Sequence, residues 1–331
     1  MRMDVVWGAE SGAVRWVQGW GSWLEPLMQA VTALGSKALF VALLPLIFWS
    51  VHAGLGARLS LVLLGSATVN SVAKALLCAP RPYWYDPGIR PLSTESTFGA
   101  PSGHAQLSVT FWGYLAAQSA RRAVRAGAAA LIALVCLSRI YLGVHFFSDI
   151  ALGLALGALL LWAALRYEEA LLRRWRALSL PVQTALAVAA SAVPVALVAA
   201  YQAVLRAGWS VPEEWAGAVP PDVAGEALAH TGALGGALLG AVAGFTVLDR
   251  RGWYSASGSL ITRAARYVTG ITGVLLILAV ARLALPDTAG AAGEYALYLL
   301  ISLWAALGAP ELFVRLRMAD RPDGDRAGAT P

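Results

Sequence analysis

Three short stretches of the sequence collect side chains suited to handling a phosphoryl group. Lys74 is followed, after six residues, by Arg81-Pro82; residues 101–104 read Pro101-Ser102-Gly103-His104; and Ser138-Arg139 is followed by His145 and then Asp149. Lys74, Arg81 and Arg139 offer three cations, and a guanidinium can grip two oxygens at once. Ser102-Gly103 reads as a helix start, where free backbone N–H groups and the positive helix end favour an anion and glycine permits close approach. His145 and Asp149 are four residues apart, so on a helix they share a face. Asp149 can then accept the Nδ1–H of His145 and leave Nε2 as a nucleophile. His104, arriving on another helix, is placed as a general acid. Taken singly, each feature has a plainer reading. A terminal Lys or Arg snorkels, Pro-Ser-Gly caps a helix, and a lone histidine is structural, as we read His52 and His230. It is their combination that points to chemistry.

The elements that must position these residues are membrane spans. Of the 331 residues, 58% are apolar and 13% charged, with a mean hydropathy of +0.64; soluble domains carry about 25% charged residues. The stretches 38–57, 96–120, 177–205 and 227–248 contain no Asp, Glu, Lys or Arg, and about 20 apolar residues cross a bilayer. These figures exclude an ordinary cytosolic enzyme, a disordered chain and a disulfide scaffold. The fold class expected is all-α, a polytopic helical membrane protein. Nine spans are predicted, near 36–54, 57–79, 103–120, 122–142, 146–166, 180–206, 228–248, 264–285 and 293–315. Residues 1–35 carry Trp16, Trp20 and Trp23 at helical spacing, which fits an interfacial amphipathic segment or an ordinary packed helix. Gly232, Gly236, Gly240 and Gly244 line one helical face and predict close packing within the chain. Cys78 and Cys136 read as small buried hydrophobes, and the last residues, 318–331, as a disordered tail.

Nine spans place the loops alternately on two sides. One side, which includes the N-terminus and the loop of residues 80–102, carries nine Lys/Arg and twelve Asp/Glu, and the other sixteen and seven. Excess Lys/Arg marks the cytoplasmic side, so the three chemical stretches are expected outside it. The pI near 9.6 then reports topology, and no nucleic-acid partner is expected.

At these residues the sequence resembles the type 2 phosphatidic acid phosphatase (PAP2) superfamily. Its motifs Lys-six-Arg-Pro, Pro-Ser-Gly-His and Ser-Arg-five-His-three-Asp all stand between residues 74 and 149. The resemblance implies a six-helix catalytic core over 36–206, with 207–317 as additional transmembrane helices. It implies His145 as the nucleophile oriented by Asp149, and His104 as proton donor. Lys74, Arg81, Ser102, Gly103 and Arg139 would hold the phosphoryl group, with no metal or other cofactor. The expected substrate is a lipid phosphate or diphosphate (polyprenyl diphosphate, phosphatidic acid or phosphatidylglycerol phosphate), met among membrane lipids at the outer face of the cytoplasmic membrane. A narrower stretch, Arg81-Pro82-Tyr83-Trp84 with Glu95, is similar to glucose-6-phosphatases and keeps a sugar phosphate open as the alternative. Phosphoryl transfer to another acceptor and a transporter are further alternatives.

Overall fold

The computed structural model describes residues 3–215, 218–284 and 290–321, and all regular structure among them is helical. The chain runs through α1 (Met3–Gln18), α2 (Glu25–Ala33), α3 (Lys37–Leu46), α4 (Ala53–Leu77), α5 (Pro82–Tyr85), α6 (Gly103–Ala117) and α7 (Arg122–Tyr141). It continues through α8 (Phe147–Ala177), α9 (Leu180–Ala200), α10 (Val223–Arg250), α11 (Leu260–Ala284), α12 (Gly290–Leu303) and α13 (Ala309–Arg315). Local chemistry explains several boundaries. The side chain of Ser102 caps α6 by accepting from the Ala105 N–H at 3.4 Å. In α8, Asp149 lies in the first turn and Arg174 and Arg176 in the last, each complementing the helix dipole. Wide π-helical turns occur at Ile47–Val51, Tyr201–Leu205 and Trp304–Gly308; at the last, Pro310 lacks the N–H that would bond the Ala306 carbonyl.

Among the described residues, eight helical stretches are long and apolar enough to cross a membrane, one fewer than expected. The exception is α6, which ends at Ala117 after 15 residues, about 22 Å at 1.5 Å per residue against ~30 Å of hydrocarbon. Its start at Gly103 is where the sequence placed it, after a buried Ser102, and it stops three residues short of the predicted end at 120. The first apolar stretch begins earlier than predicted, at Ser22, with a turn between α2 and α3. Cys136 is buried, whereas Cys78 is only half-buried, so the expectation is corrected for that residue; both are free thiols. The expected tail lies outside the described residues from 322 onward.

The chain divides into two compact units. The first comprises Met1–Phe40, Ser66–Arg173 and Ala196–Leu228, with Val14, Val17, Met28, Trp84, Tyr141 and Phe146 in its core. One face of α1 therefore packs inward while Trp16 points out, 68% exposed. Here α8 comes close to α6: a methyl group on Gly153 would lie 2.6 Å from the Ser102 carbonyl oxygen, and one on Gly157 2.8 Å from that of Gln106. The second unit comprises Val41–Gly65, Arg174–Val195 and Ala229–Pro331, around Phe48, Trp49, Phe245, Tyr254 and Phe313. In it the glycine stripe meets the backbone of Ala291, Tyr295 and Leu299 and the Ala306 methyl, so the stripe packs within the chain.

Candidate active site

All eight residues nominated by the sequence lie in the first unit. Lys74, near the end of α4, donates from Nζ to the carbonyls of Phe98 (2.5 Å) and Gly99 (2.7 Å). Arg81 precedes α5 and donates to the carbonyls of Thr97 (2.7 Å), Phe98 (3.1 Å) and Val144 (3.0 Å). Its guanidinium also sits 5.8 Å from the centre of the Trp84 ring. The first stretch thus fastens the 97–99 segment beside the residue that precedes His145. Both cations use donors that sequence reasoning reserved for phosphate. Two of three N–H groups are engaged on Lys74, so each cation is pre-oriented at the cost of some of its grip.

Behind them, His145 Nδ1 is 3.2 Å from Asp149 Oδ2, and that oxygen also accepts the Phe146 N–H at 3.0 Å. The Ser102 N–H donates to the Asp149 carbonyl at 3.0 Å, tying the start of α6 to α8. Both His145 and Asp149 are buried. Burial, then the charges of Arg81, Lys74 and Arg139, hold the His145 imidazole well below its ordinary pKa. It is therefore unprotonated at neutral pH, with Nε2 as its remaining ring nitrogen.

Arg139, near the end of α7, is 1% exposed. It donates to Thr32 Oγ1 at 3.0 Å and is ion-paired with Glu95, while its Nε has no partner. Burial pushes the Glu95 carboxyl up, but Arg81 and Arg139 overcome it and bring the pKa down to about 2. His104 is half-buried. The turn after Thr32 brings Gly35 against it, where a methyl group would lie 3.4 Å from the ring. One short segment therefore carries neighbours of both Arg139 and His104.

Several supporting residues escaped the sequence reading. Asn70 donates to Gln106 Oε1 at 2.8 Å and to the Pro101 carbonyl at 3.3 Å, while Gln106 donates to the Ser66 carbonyl at 2.8 Å. This network holds the 101–103 turn. Its signal was available, since Asn70 lies one turn before Lys74 and Gln106 is a large polar residue in an uncharged stretch. Glu10 of α1 accepts from the Ser148 N–H (3.1 Å) and hydroxyl (2.9 Å), capping α8 one residue before Asp149. Neither Glu10 nor Thr32 carries a local signal, because each partner is over a hundred residues away. Among the described residues, no three His, Cys, Asp or Glu side chains gather as a metal site.

Comparison with known proteins bears on these residues. The chain is 30% identical to lipid phosphate phosphatase delta of Arabidopsis thaliana over 165 residues, covering 45% of this chain and 39% of that protein. It is 29% identical to phosphatidylglycerophosphatase B of Bacillus subtilis, covering 46% and 78%. It is 28% identical to glucose-6-phosphatase 3 of Bos taurus, covering 48% and 53%. The chain thus spans less than two thirds of the plant and bovine relatives. The PAP2 superfamily profile matches residues 55–173, which hold all eight nominated residues. A second profile, PAP2 superfamily phosphatase, transmembrane extension, matches residues 232–321. Together the two matches take in more than half of the sequence, and the chain belongs to the PAP2 superfamily.

Proposed function

We propose that this protein is a membrane-embedded phosphatase that removes the phosphoryl group from a lipid phosphate through a phosphohistidine on its extracytoplasmic side. The observation that carries the reading is the buried His145–Asp149 pair lying among Lys74, Arg81 and Arg139. His145 Nε2 attacks phosphorus, and the bond from phosphorus to the ester oxygen breaks. Burial and then the Arg139 charge bring the His104 pKa down to about 3; the negative phosphoryl group offsets that charge, and His104, entering the step as the imidazolium, gives the ester oxygen its proton, so the lipid leaves as an alcohol. Water then attacks the phosphohistidine, returns a proton to His104, and releases phosphate. Asp149 holds the imidazole tautomer and balances the charge that develops on attack. Lys74, Arg81, Arg139 and the start of α6 at Ser102 and Gly103 neutralise the phosphoryl oxygens. The apolar helices support a lipid substrate, which can reach the site with its tail still in the bilayer. The charge asymmetry of the loops supports the outward orientation. In this reading residues 1–35 lie at the membrane interface, 36–206 form the catalytic core, and 207–317 are accessory. A sugar phosphate is the second reading, favoured by the bovine relative and by Glu95 standing beside Arg139.

The test is phosphate release by the purified protein from phosphatidic acid, phosphatidylglycerol phosphate, farnesyl diphosphate and glucose 6-phosphate, with and without EDTA and vanadate. Turnover of at least one lipid, unaffected by EDTA and inhibited by vanadate, is expected. Activity abolished by EDTA and restored by Mg²⁺ contradicts the mechanism, and turnover of glucose 6-phosphate alone selects the second reading.

A further inference from the structure

A phosphoryl group that enters this site meets a cation already holding an anion. Arg139 is buried and bound to Glu95, a residue of the loop between α5 and α6 that none of the three chemical stretches includes. The Glu95 carboxylate and an entering phosphoryl group bear charge of the same sign and are both drawn to the Arg139 guanidinium, so the two compete. The other oxygen acceptor on Arg139, Thr32, is neutral and belongs to the segment that also touches His104. Glu95 already interacts electrostatically with His104, the group proposed to protonate the leaving oxygen, so a carboxylate displaced from Arg139 remains on the leaving-group side. A carboxylate there accepts hydrogen bonds from hydroxyl groups and repels a second phosphate.

We propose that Glu95 sets the substrate class: it cedes Arg139 to the entering phosphoryl group and then hydrogen-bonds a hydroxyl of the leaving alcohol, so that phosphate monoesters of neutral, hydroxyl-bearing alcohols are favoured over diphosphates. The inference rests on the phosphatase reading above and narrows it. Lys37, at the start of α3, also interacts with Glu95.

The experiment compares kcat/KM of the full-length protein, in detergent micelles, for three substrates. Lysophosphatidic acid leaves as a neutral alcohol with a hydroxyl on the carbon next to the ester, phosphatidic acid has no such hydroxyl, and farnesyl diphosphate carries the second phosphate. Wild type should prefer them in that order. Glu95→Gln should raise the farnesyl diphosphate to phosphatidic acid ratio about tenfold, and Glu95→Ala should lower the lysophosphatidic acid to phosphatidic acid ratio about tenfold, the size of one hydrogen bond to a charged group. Such ratios do not depend on the fraction of protein that is folded. Inorganic phosphate should inhibit Glu95→Gln about tenfold more tightly than wild type, because its internal competitor has lost its charge. If Glu95→Gln does not fold, Glu95→Asp decides: it should still reject the diphosphate and lose the preference for the hydroxyl. Ratios and phosphate inhibition within twofold of wild type overturn the inference while leaving the phosphatase reading intact. A wild type that turns over no phosphate ester overturns both.

Discussion

His145 can act as a nucleophile only while its Nε2 lone pair is free. Burial and the neighbouring Arg81, Lys74 and Arg139 charges keep the ring unprotonated, and Asp149 engages the other nitrogen. In the proposed mechanism, the cations that would receive the phosphoryl group also keep the attacking imidazole unprotonated. Arg139 shows what burial of a charge requires. An unpaired buried guanidinium is strongly unfavourable, and before substrate arrives Glu95 and Thr32 supply the oxygens. Phosphate can replace Glu95 because it offers Arg139 an equally charged partner, whereas a neutral ligand cannot. Lys74 and Arg81 differ: their backbone carbonyl partners belong to the fold and keep both cations oriented whether or not the site is filled.

Helix ends set this geometry. The N-terminus of α8 carries Asp149, and Glu10 on α1 binds the adjacent Ser148 through both its N–H and hydroxyl. Glu10→Ala is expected to cost about 1 kcal/mol, the usual size of a lost cap, and to lower kcat more than KM. Glu10→Gln, which keeps an acceptor, should recover most of both. Thermal unfolding and steady-state kinetics of the two variants check this, and an alanine variant indistinguishable from wild type contradicts it. The predicted span 122–142 matches α7 (Arg122–Tyr141) although its uncharged stretch is short, whereas α8 starts as predicted but runs on to Ala177, past the expected end at 166. The sequence did not show the extent of α6. The predicted span 103–120 starts with α6 at Gly103, but the helix ends at Ala117; before it, Lys74 and Arg81 hold the carbonyls of 97–99 in the loop. Gly153 and Gly157 are equally silent in sequence, since only the approach of α6 gives their spacing a purpose.

At the scale of the molecule, eight apolar helical stretches occur among the described residues, and two family matches cover residues 55–173 and 232–321. Hydropathy and three motifs made the class and the eight chemical residues legible. The packing of α1 and the pairing of Glu95 with Arg139 were not, because tertiary contacts between distant segments leave no local pattern. Orientation across the membrane follows from the distribution of Lys and Arg. It predicts that Thr94, exposed on the loop before α6, faces away from the cytoplasm. A Thr94→Cys protein lacking Cys78 and Cys136 should react with a membrane-impermeant thiol reagent in intact cells. Reaction only after lysis contradicts the orientation.

The central claim is that His145 carries the phosphoryl group while His104 only moves protons. Rapid-quench trapping with a ³²P-labelled substrate tests it directly, using wild type, His145→Ala and His104→Ala and a leaving group as good as p-nitrophenolate. The account predicts an acid-labile, base-stable phosphoenzyme in wild type and in His104→Ala, and none in His145→Ala. An adduct that persists in His145→Ala and is missing from His104→Ala would contradict it.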